Sequence, residues 1–369
     1  MWSTMPGGPA EVVLNGKAQP PRSGPLVISY TLAATEAWAE ALSWWDWELI
    51  IFDEAHYLKS RDASRTIELL GNRDTPGLVS RAKRVMLLTG TPVPNRPHEF
   101  FWPIKRLAPA VIDNMGWYRF CGRFVVGFED VTGFRATGVK HEQELHARLR
   151  GSGWMARRRK EDVLPQLPQK RYSLVVFPQD SKTAKVVEQE QQFDHRQIVE
   201  HGVPVGVAAL PELRREMGEA KVGDCVAWIK DVLDGGVEKL LVFAHHASVI
   251  EATAEGLKAY NPAVIYGKTP MAQRQVAVDR FQKDPGARVL VGSFQPMGVG
   301  WTLTAAHDVV FVEASWVPSD NEQAIDRAHR IGQEAESVNV YYLVVEGSLD
   351  AKILGEAAKK ERDIQKVLG

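Results

Sequence analysis

Eight short runs of nearly unbroken apolar residues limit most tightly what this chain can fold into. Residues 26–30, 49–52 and 85–88 carry three of them, and 240–244, 264–266, 289–291, 309–312 and 338–345 carry the rest. A strand with one wet face alternates apolar and polar side chains, whereas a strand covered on both faces does not. Helical patterns separate the later runs, at 222–233 (stopped by Gly235-Gly236), 247–260, 270–281 and 321–331. Strand and helix alternating in this way predict an α/β class, with parallel sheets flanked by helices.

A chain of 369 residues has room for two ordinary domains. The strand series restarts after Arg157-Arg158-Arg159-Lys160 and the proline-bearing Leu164-Pro165-Gln166-Leu167-Pro168. The expected boundary lies there, giving lobes at 1–164 and 165–369. Residues 96–150 show aromatics and helical stretches without strand alternation, which predicts a helical insertion in the first lobe. Hydrophobic residues at 44% and charged residues at 25% exclude a disordered or fibrous chain. Two cysteines, Cys121 and Cys225, are too few for a disulfide framework and lack metal-ligand spacing. No apolar run approaches bilayer length and no secretory pattern opens the chain, so a cytoplasmic or nuclear, not secreted, protein is expected. With a net charge of −1, a DNA partner would have to be held by local basic patches.

Three segments carry chemistry. Leu49-Ile50-Ile51-Phe52 runs into Asp53-Glu54-Ala55-His56, and the carboxyl ends of strands are where open α/β sheets bind ligands. Of two adjacent acids there, one can hold Mg²⁺ while the other positions or deprotonates an attacking water. Val85-Met86-Leu87-Leu88 ends in Thr89-Gly90-Thr91-Pro92, a short turn with two hydroxyls around a glycine. Pro318-Ser319-Asp320-Asn321-Glu322 opens a helix, with Ser319 and Glu322 at capping-box spacing. On that helix Gln323, Asp326, Arg327 and Arg330 would share one face, and Ala324, Ala328 and Ile331 would form an apolar stripe on another. A polar face can be plain solvated surface, but two guanidinium groups also suit charge developing on a γ-phosphate.

Together these segments resemble motifs II, III and VI of SWI/SNF-type ATPases. The last reads Gln323-Ala324-Ile325-Asp326-Arg327-Ala328-His329-Arg330-Ile331-Gly332-Gln333, whose His-Arg-Ile-Gly-Gln ending separates this family from other helicase groups. Arg157 to Val163 with Gln166-Leu167-Pro168 looks like the family's junction between lobes. Val242-Phe243-Ala244-His245-His246 and Gly298-Val299-Gly300 look like motifs IV and V. The wording is nearest the annealing-helicase branch.

The resemblance implies two RecA-like lobes with ATP in the cleft and double-stranded or branched DNA lying across both. It implies Asp53 holding Mg²⁺ through water, Glu54 acting on the attacking water, and Arg327 and Arg330 as arginine fingers. Gln323, Thr89, Gly90, Thr91, Gly298 and Gly300 would couple the nucleotide to lobe closure and DNA.

One part of the family's pattern is missing. A phosphate loop, Gly-x-x-x-x-Gly-Lys-Ser/Thr, should precede the acids, but Gly16-Lys17 has Glu11 and Ala18 at the flanking positions. Gly267-Lys268-Thr269 has Pro262 where the first glycine belongs and is a decoy for ATP. There Thr269-Pro270 reads as a helix N-cap followed by proline, equally a simple cap or, with Lys268, a contact for the DNA backbone. Arg157 and Arg158 are candidates for the same backbone.

The expectation is a first lobe that is incomplete at its front and weak in hydrolysis by itself. A fragment, a separate chain supplying the loop, and a non-hydrolysing remnant that binds DNA or a partner all stay open. Motif V carries Pro296 and Trp301 where small or polar residues are usual. Trp301 and Trp316 read as packed aromatics rather than base-stacking ones, and His245-His246 as a strand end rather than a metal site.

Overall fold

The computed structural model describes residues 10–13, 24–90, 97–130, 133–192, 209–294, 300–352 and 354–355. Thr91 and Gly298, both expected to couple nucleotide to closure, lie outside the described residues, as does the Gly16-Lys17 pair. The described residues fall into two compact units, one within 10–126 and 138–156, the other within 127–137 and 157–355. Among the described residues no helix is long and apolar enough to cross a membrane.

In the first unit, β1 (Glu11–Val12) pairs in parallel with β2 (Leu26–Val27), and β3 (Ile50–Phe52) with β4 (Val85–Leu87). The apolar run at 26–30 is shorter as a strand than expected. The Ser29 hydroxyl accepts from the Leu32 amide at 3.3 Å, which starts a helical turn at Tyr30–Ala33. Trp38 and Leu42 from the helix Glu36–Ser43 and Leu69 and Leu70 from Ser64–Leu70 bury against Phe52, Ala55 and Leu58. The 96–150 stretch is not purely helical. Helices Phe101–Leu107, Trp117–Phe124 and Glu142–Gly151 alternate there with β5 (Val125–Asp130) and β6 (Gly133–Val139), a two-stranded sheet whose residues 127–137 are counted with the second unit. Glycines at 127, 133 and 138 interrupt the apolar alternation by which a hairpin is normally recognised.

The second unit is built on six strands: β7 (Gln169–Phe177), β8 (Leu240–Phe243), β9 (Ala263–Ile265), β10 (Val289–Gly292), β11 (Asp308–Phe311) and β12 (Ser337–Val345). Their order across the sheet is β7-β12-β11-β8-β10-β9, and every neighbouring pair is parallel. Every residue of β8, β10 and β11 is buried, which is why these runs are apolar apart from Asp308 at the start of β11. Leu241, Phe243, Val309 and Phe311 face one core with Phe281, Ala324 and Ile325; Leu240, Val242, Val310 and Val312 face the other with Cys225, Ile229 and Ile250. Trp301 packs against the first core.

β7 was not expected. It is an edge strand with an exposed face and opens on Gln169-Lys170-Arg171-Tyr172, so it lacks the apolar run that marks its neighbours. The helix expected at 222–233 begins much earlier, at Ala209, because Pro211 falls in its first turn where proline is tolerated.

The rings of Phe243, Phe294 and Phe311 form a three-membered cluster, with centroids 5.7, 5.5 and 5.8 Å apart. Phe243→Ala is expected to destabilise the second unit by about 3–5 kcal/mol, read as an earlier urea transition of that unit. An unmoved transition would show that this aromatic stack does not hold the sheet to its helices.

Candidate functional site

In the first unit the chain leaves β3 through Asp53 and then turns at Glu54, whose φ of 48° and ψ of 48° are left-handed. That conformation costs a side-chain-bearing residue roughly 1–2 kcal/mol, and strain of this kind concentrates at functional sites. The turn feeds the 3₁₀ segment Ala55–Leu58. The Ala55 amide donates to the Leu88 carbonyl at 3.0 Å and the Leu88 amide to the Phe52 carbonyl at 2.9 Å, which ties the carboxyl ends of β3 and β4 together. His56 completes the link: its Nδ1 lies 3.2 Å from Glu54 Oε2 and 3.3 Å from Thr89 Oγ1. Two segments 33 positions apart therefore meet around one imidazole.

Asp53 is exposed, with Oδ1 accepting from the Glu54 amide at 3.0 Å and its carbonyl accepting from the Tyr30 hydroxyl at 2.6 Å. Burial, and then the charges of Asp53 and Glu54, push the Tyr30 hydroxyl far above the ordinary phenol range. An exposed carboxylate at a strand end fits Mg²⁺, which keeps most of its waters and shares one or two carboxylates with ligand phosphates. Among the described residues no group of three or more His, Cys, Asp or Glu forms a protein cage for a metal. Gly90 follows Thr89 at the exposed end of the turn.

In the second unit the helix expected over 321–331 is Pro318–Ile325, and Asp326 is its C-cap. Arg327 and Arg330 therefore do not extend the helix face of Gln323; they lie in the turns that follow. The stripe breaks as well. Ala324 and Ala328 are buried, whereas Ile331 is 70% exposed. The capping box is also absent, because Pro318 occupies the first turn after an N-cap at Val317, and Glu322 is drawn away by other partners.

Those partners come from the segment that enters the unit. Lys170 Nζ donates to Glu322 at 2.7 Å and to Asp326 at 3.0 Å, and Lys160 Nζ lies 2.7 Å from the other Asp326 oxygen. Tyr172 donates to Glu322 at 3.1 Å, and the His329 ring shares a 2.8 Å contact with the Pro168 carbonyl. On its far side the loop is pinned by the Leu303 amide donating to the Arg327 carbonyl (2.8 Å) and by the Gln333 side chain donating to Ala306 O (2.9 Å) and Ala328 O (3.1 Å). Arg327 is 5% exposed. Arg330 donates through Nε to the Asp326 carbonyl (3.1 Å) and through Nη1 to Gly300 O (3.3 Å), where Gly300 takes a φ of 62°. Gln323 sits half-buried on the helix, one turn before Asp326.

The sequence marks Lys160 only as part of the junction run and Glu322 only as a capping residue, and it gives no signal for Lys170 or Tyr172. Their partners lie more than 140 positions away, so no local spacing announces them. It gives none for Glu313 either, which follows β11 and is 3% exposed. One Glu313 oxygen accepts from the His245 and His246 amides at 2.8 and 2.9 Å, and the other meets His246 Nδ1 at 2.6 Å. Burial opposes the charge on Glu313, but these bonds from His246 and His245 outweigh it and hold the carboxyl below its usual range.

Thr269 is not the helix cap: the helix is Met271–Lys283 behind Pro270, and the Thr269 hydroxyl accepts from the Tyr266 amide at 3.1 Å. Lys268 is exposed and paired with Glu251 at 3.1 Å. Arg157 is half-buried and Arg158 exposed.

Comparison with known proteins places these segments in context. Residues 21–203 match the family model described as SNF2-related domain, and residues 225–332 match the helicase conserved C-terminal domain. The chain is 36% identical over 343 residues to the DNA annealing helicase and endonuclease ZRANB3 of Bos taurus, covering 90% of this chain and 31% of that protein. It is 34% identical over 332 residues to the SWI/SNF-related matrix-associated actin-dependent regulator of chromatin subfamily A-like protein 1 of Xenopus tropicalis, covering 85% and 34%. The chain thus spans about a third of the length of the curated relatives it matches. Among solved structures, the C-terminal part of the Fun30 ATPase domain aligns with a TM-score of 0.42 at 17% identity, covering 55% of this chain and 97% of that one.

The left-handed turn at Glu54 has a measurable consequence. Glu54→Gly and Glu54→Ala both remove the carboxylate, but only glycine is at ease there, so the glycine variant should be more stable by about 1 kcal/mol in urea unfolding. An alanine variant of equal or greater stability would mean that the turn carries no strain.

Proposed function

The chain belongs to the SWI/SNF-related family of helicase-like proteins, on its annealing-helicase side, and from that premise we propose that it is the motor part of a DNA-dependent ATPase. The substrates are ATP, taken with Mg²⁺, and double-stranded or branched DNA. Work on DNA then comes from translocation along the backbone rather than from reading bases, and serves remodelling or annealing.

The observation that carries this reading is the arrangement around Glu54: a strained turn that sets two acids at a strand end, with His56 linking Glu54 to Thr89. A site that no longer worked would have no physical need for that strain. In this reading Asp53 holds Mg²⁺ through water, and the ion when bound would neutralise charge across the phosphates. Glu54 orients and deprotonates the attacking water. Arg327 and Arg330 stabilise charge on the transferred phosphoryl group. Gln323, Thr89, Gly90, Thr91, Gly298 and Gly300 relay nucleotide state. Thr269, Lys268, Arg157 and Arg158 lie along the DNA backbone. The lobe boundary in this reading falls near 164–165.

A second reading is a non-hydrolysing remnant that binds DNA or a partner. Turnover measurements separate the two. DNA should stimulate ATP hydrolysis by the chain, and Glu54→Gln should abolish it while leaving nucleotide binding in place. Arg330→Ala should lower turnover on the order of a thousandfold with DNA affinity retained, since an arginine finger acts on the transition state. Equal losses in turnover and DNA affinity would move Arg330 to the DNA surface. No turnover with DNA binding intact would establish the second reading.

A further inference from the structure

We propose that Lys170 is a positioning residue for Arg330, acting through Asp326. The proposal rests on the reading of the chain as an ATP-hydrolysing motor and adds a residue that sets the geometry of its arginine loop from another element.

Asp326 connects two sets of contacts. Its carbonyl accepts from Arg330 Nε at 3.1 Å, and its carboxylate takes Lys170 at 3.0 Å and Lys160 at 2.7 Å. Wherever the carboxylate is pulled, the backbone that holds the Arg330 guanidinium follows.

Lys170 is well placed to do the pulling. It is the second residue of β7, and β7 pairs with β12 residue for residue from Gln169↔Ser337 to Phe177↔Val345, so its backbone is fixed to the sheet. Lys170 and Tyr172 are two apart and share one face of the strand. Glu322 and Asp326 are four apart and stack on one side of the helical turn. One ammonium and one hydroxyl on the strand thus engage two carboxylates on the helix end: Lys170 with Glu322 at 2.7 Å and with Asp326, Tyr172 with Glu322 at 3.1 Å.

The side chains of Lys170 and Asp326 are 19% and 29% exposed. An ion pair this far from water is screened less than a surface pair and fixes a geometry more firmly. Without Lys170, Glu322 and Asp326 become neighbouring carboxylates that have lost the one ammonium bridging both. The helix itself has other support, because Ala324, Ile325 and Ala328 are buried in the apolar core. Loss of Lys170 therefore acts on the register of the loop rather than on the fold.

The test uses the full chain with Lys170→Met and Lys170→Arg. In DNA-stimulated hydrolysis, Lys170→Met should lower kcat by about tenfold or more while KM for ATP and DNA affinity stay near wild type, since small misplacements of a positioned group are costly. Lys170→Arg keeps the charge and should restore most of the rate. In hydrogen exchange followed by mass spectrometry, amides across 326–333 should exchange faster in Lys170→Met and recover in Lys170→Arg, with β8 and β10 unchanged. Equal losses of kcat in both variants, or unchanged exchange across 326–333, would overturn the proposal. A wild-type chain without turnover would count against the ATPase reading, and the exchange result would then decide the loop contact by itself.

Discussion

A carboxylate taken partly out of water has to be accompanied, and the arginine loop is organised around one that is. Burial alone would raise the pKa of Asp326, but Lys170 and then Lys160 outweigh it and keep the group ionised below the usual carboxylate range. Burial likewise works against the charge on Lys170, and Glu322 and Asp326 reverse the balance and hold it above the ordinary lysine range. Such a cluster adds little net stability compared with apolar packing, yet removing one member leaves charge uncompensated. It specifies one arrangement of the 326–330 turns, and the places of Arg327 and Arg330 depend on that arrangement.

Each unit uses its parallel strands differently. In the first, adjacent β3 and β4 end together, so the acids after one and the threonine after the other meet at the carboxyl ends of paired strands. In the second, the arginine loop lies beside the amino ends of β7, β11 and β12: Lys170 is near the start of β7, and Gln333 bonds to Ala306, two residues before β11. The carboxyl edge of that sheet holds another device, the buried Glu313 that gathers the amides following β8. A rule that looks for ligands only at carboxyl ends would have found the acids and missed the arginines.

Much of this was legible in the residues. The apolar runs marked β8, β10 and β11 because burial on both faces leaves no room for polar alternation, and β12 was marked by a longer run broken only at Asn339. The acids, Thr89 and the Gln323-to-Gln333 segment were found because their chemistry is carried by neighbours in sequence. Edge strand β7 was not found, since its exposed face and charged start remove the apolar signal. The helix end at Ile325 was overlooked because the pattern to Ile331 continues at helical spacing, while the tertiary contacts of Asp326, His329 and Gln333 unwind it. Ser319 and Thr269 looked like caps by spacing alone, but Pro318 and Pro270 set the helix starts and leave those hydroxyls to other positions. The Lys160–Lys170–Asp326 cluster joins residues far apart in the chain, and only the folded sheet brings them together.

Central to the proposed function is that the chain holds DNA by its backbone and not by its bases. The most direct measurement is equilibrium binding of the full chain to several unrelated double-stranded DNAs over a range of salt concentrations. The account predicts similar affinity for every sequence and a steep, linear fall of log affinity with log salt, because each phosphate contact releases counterions. Absence of binding, or a strong preference for one sequence with little salt dependence, would contradict it.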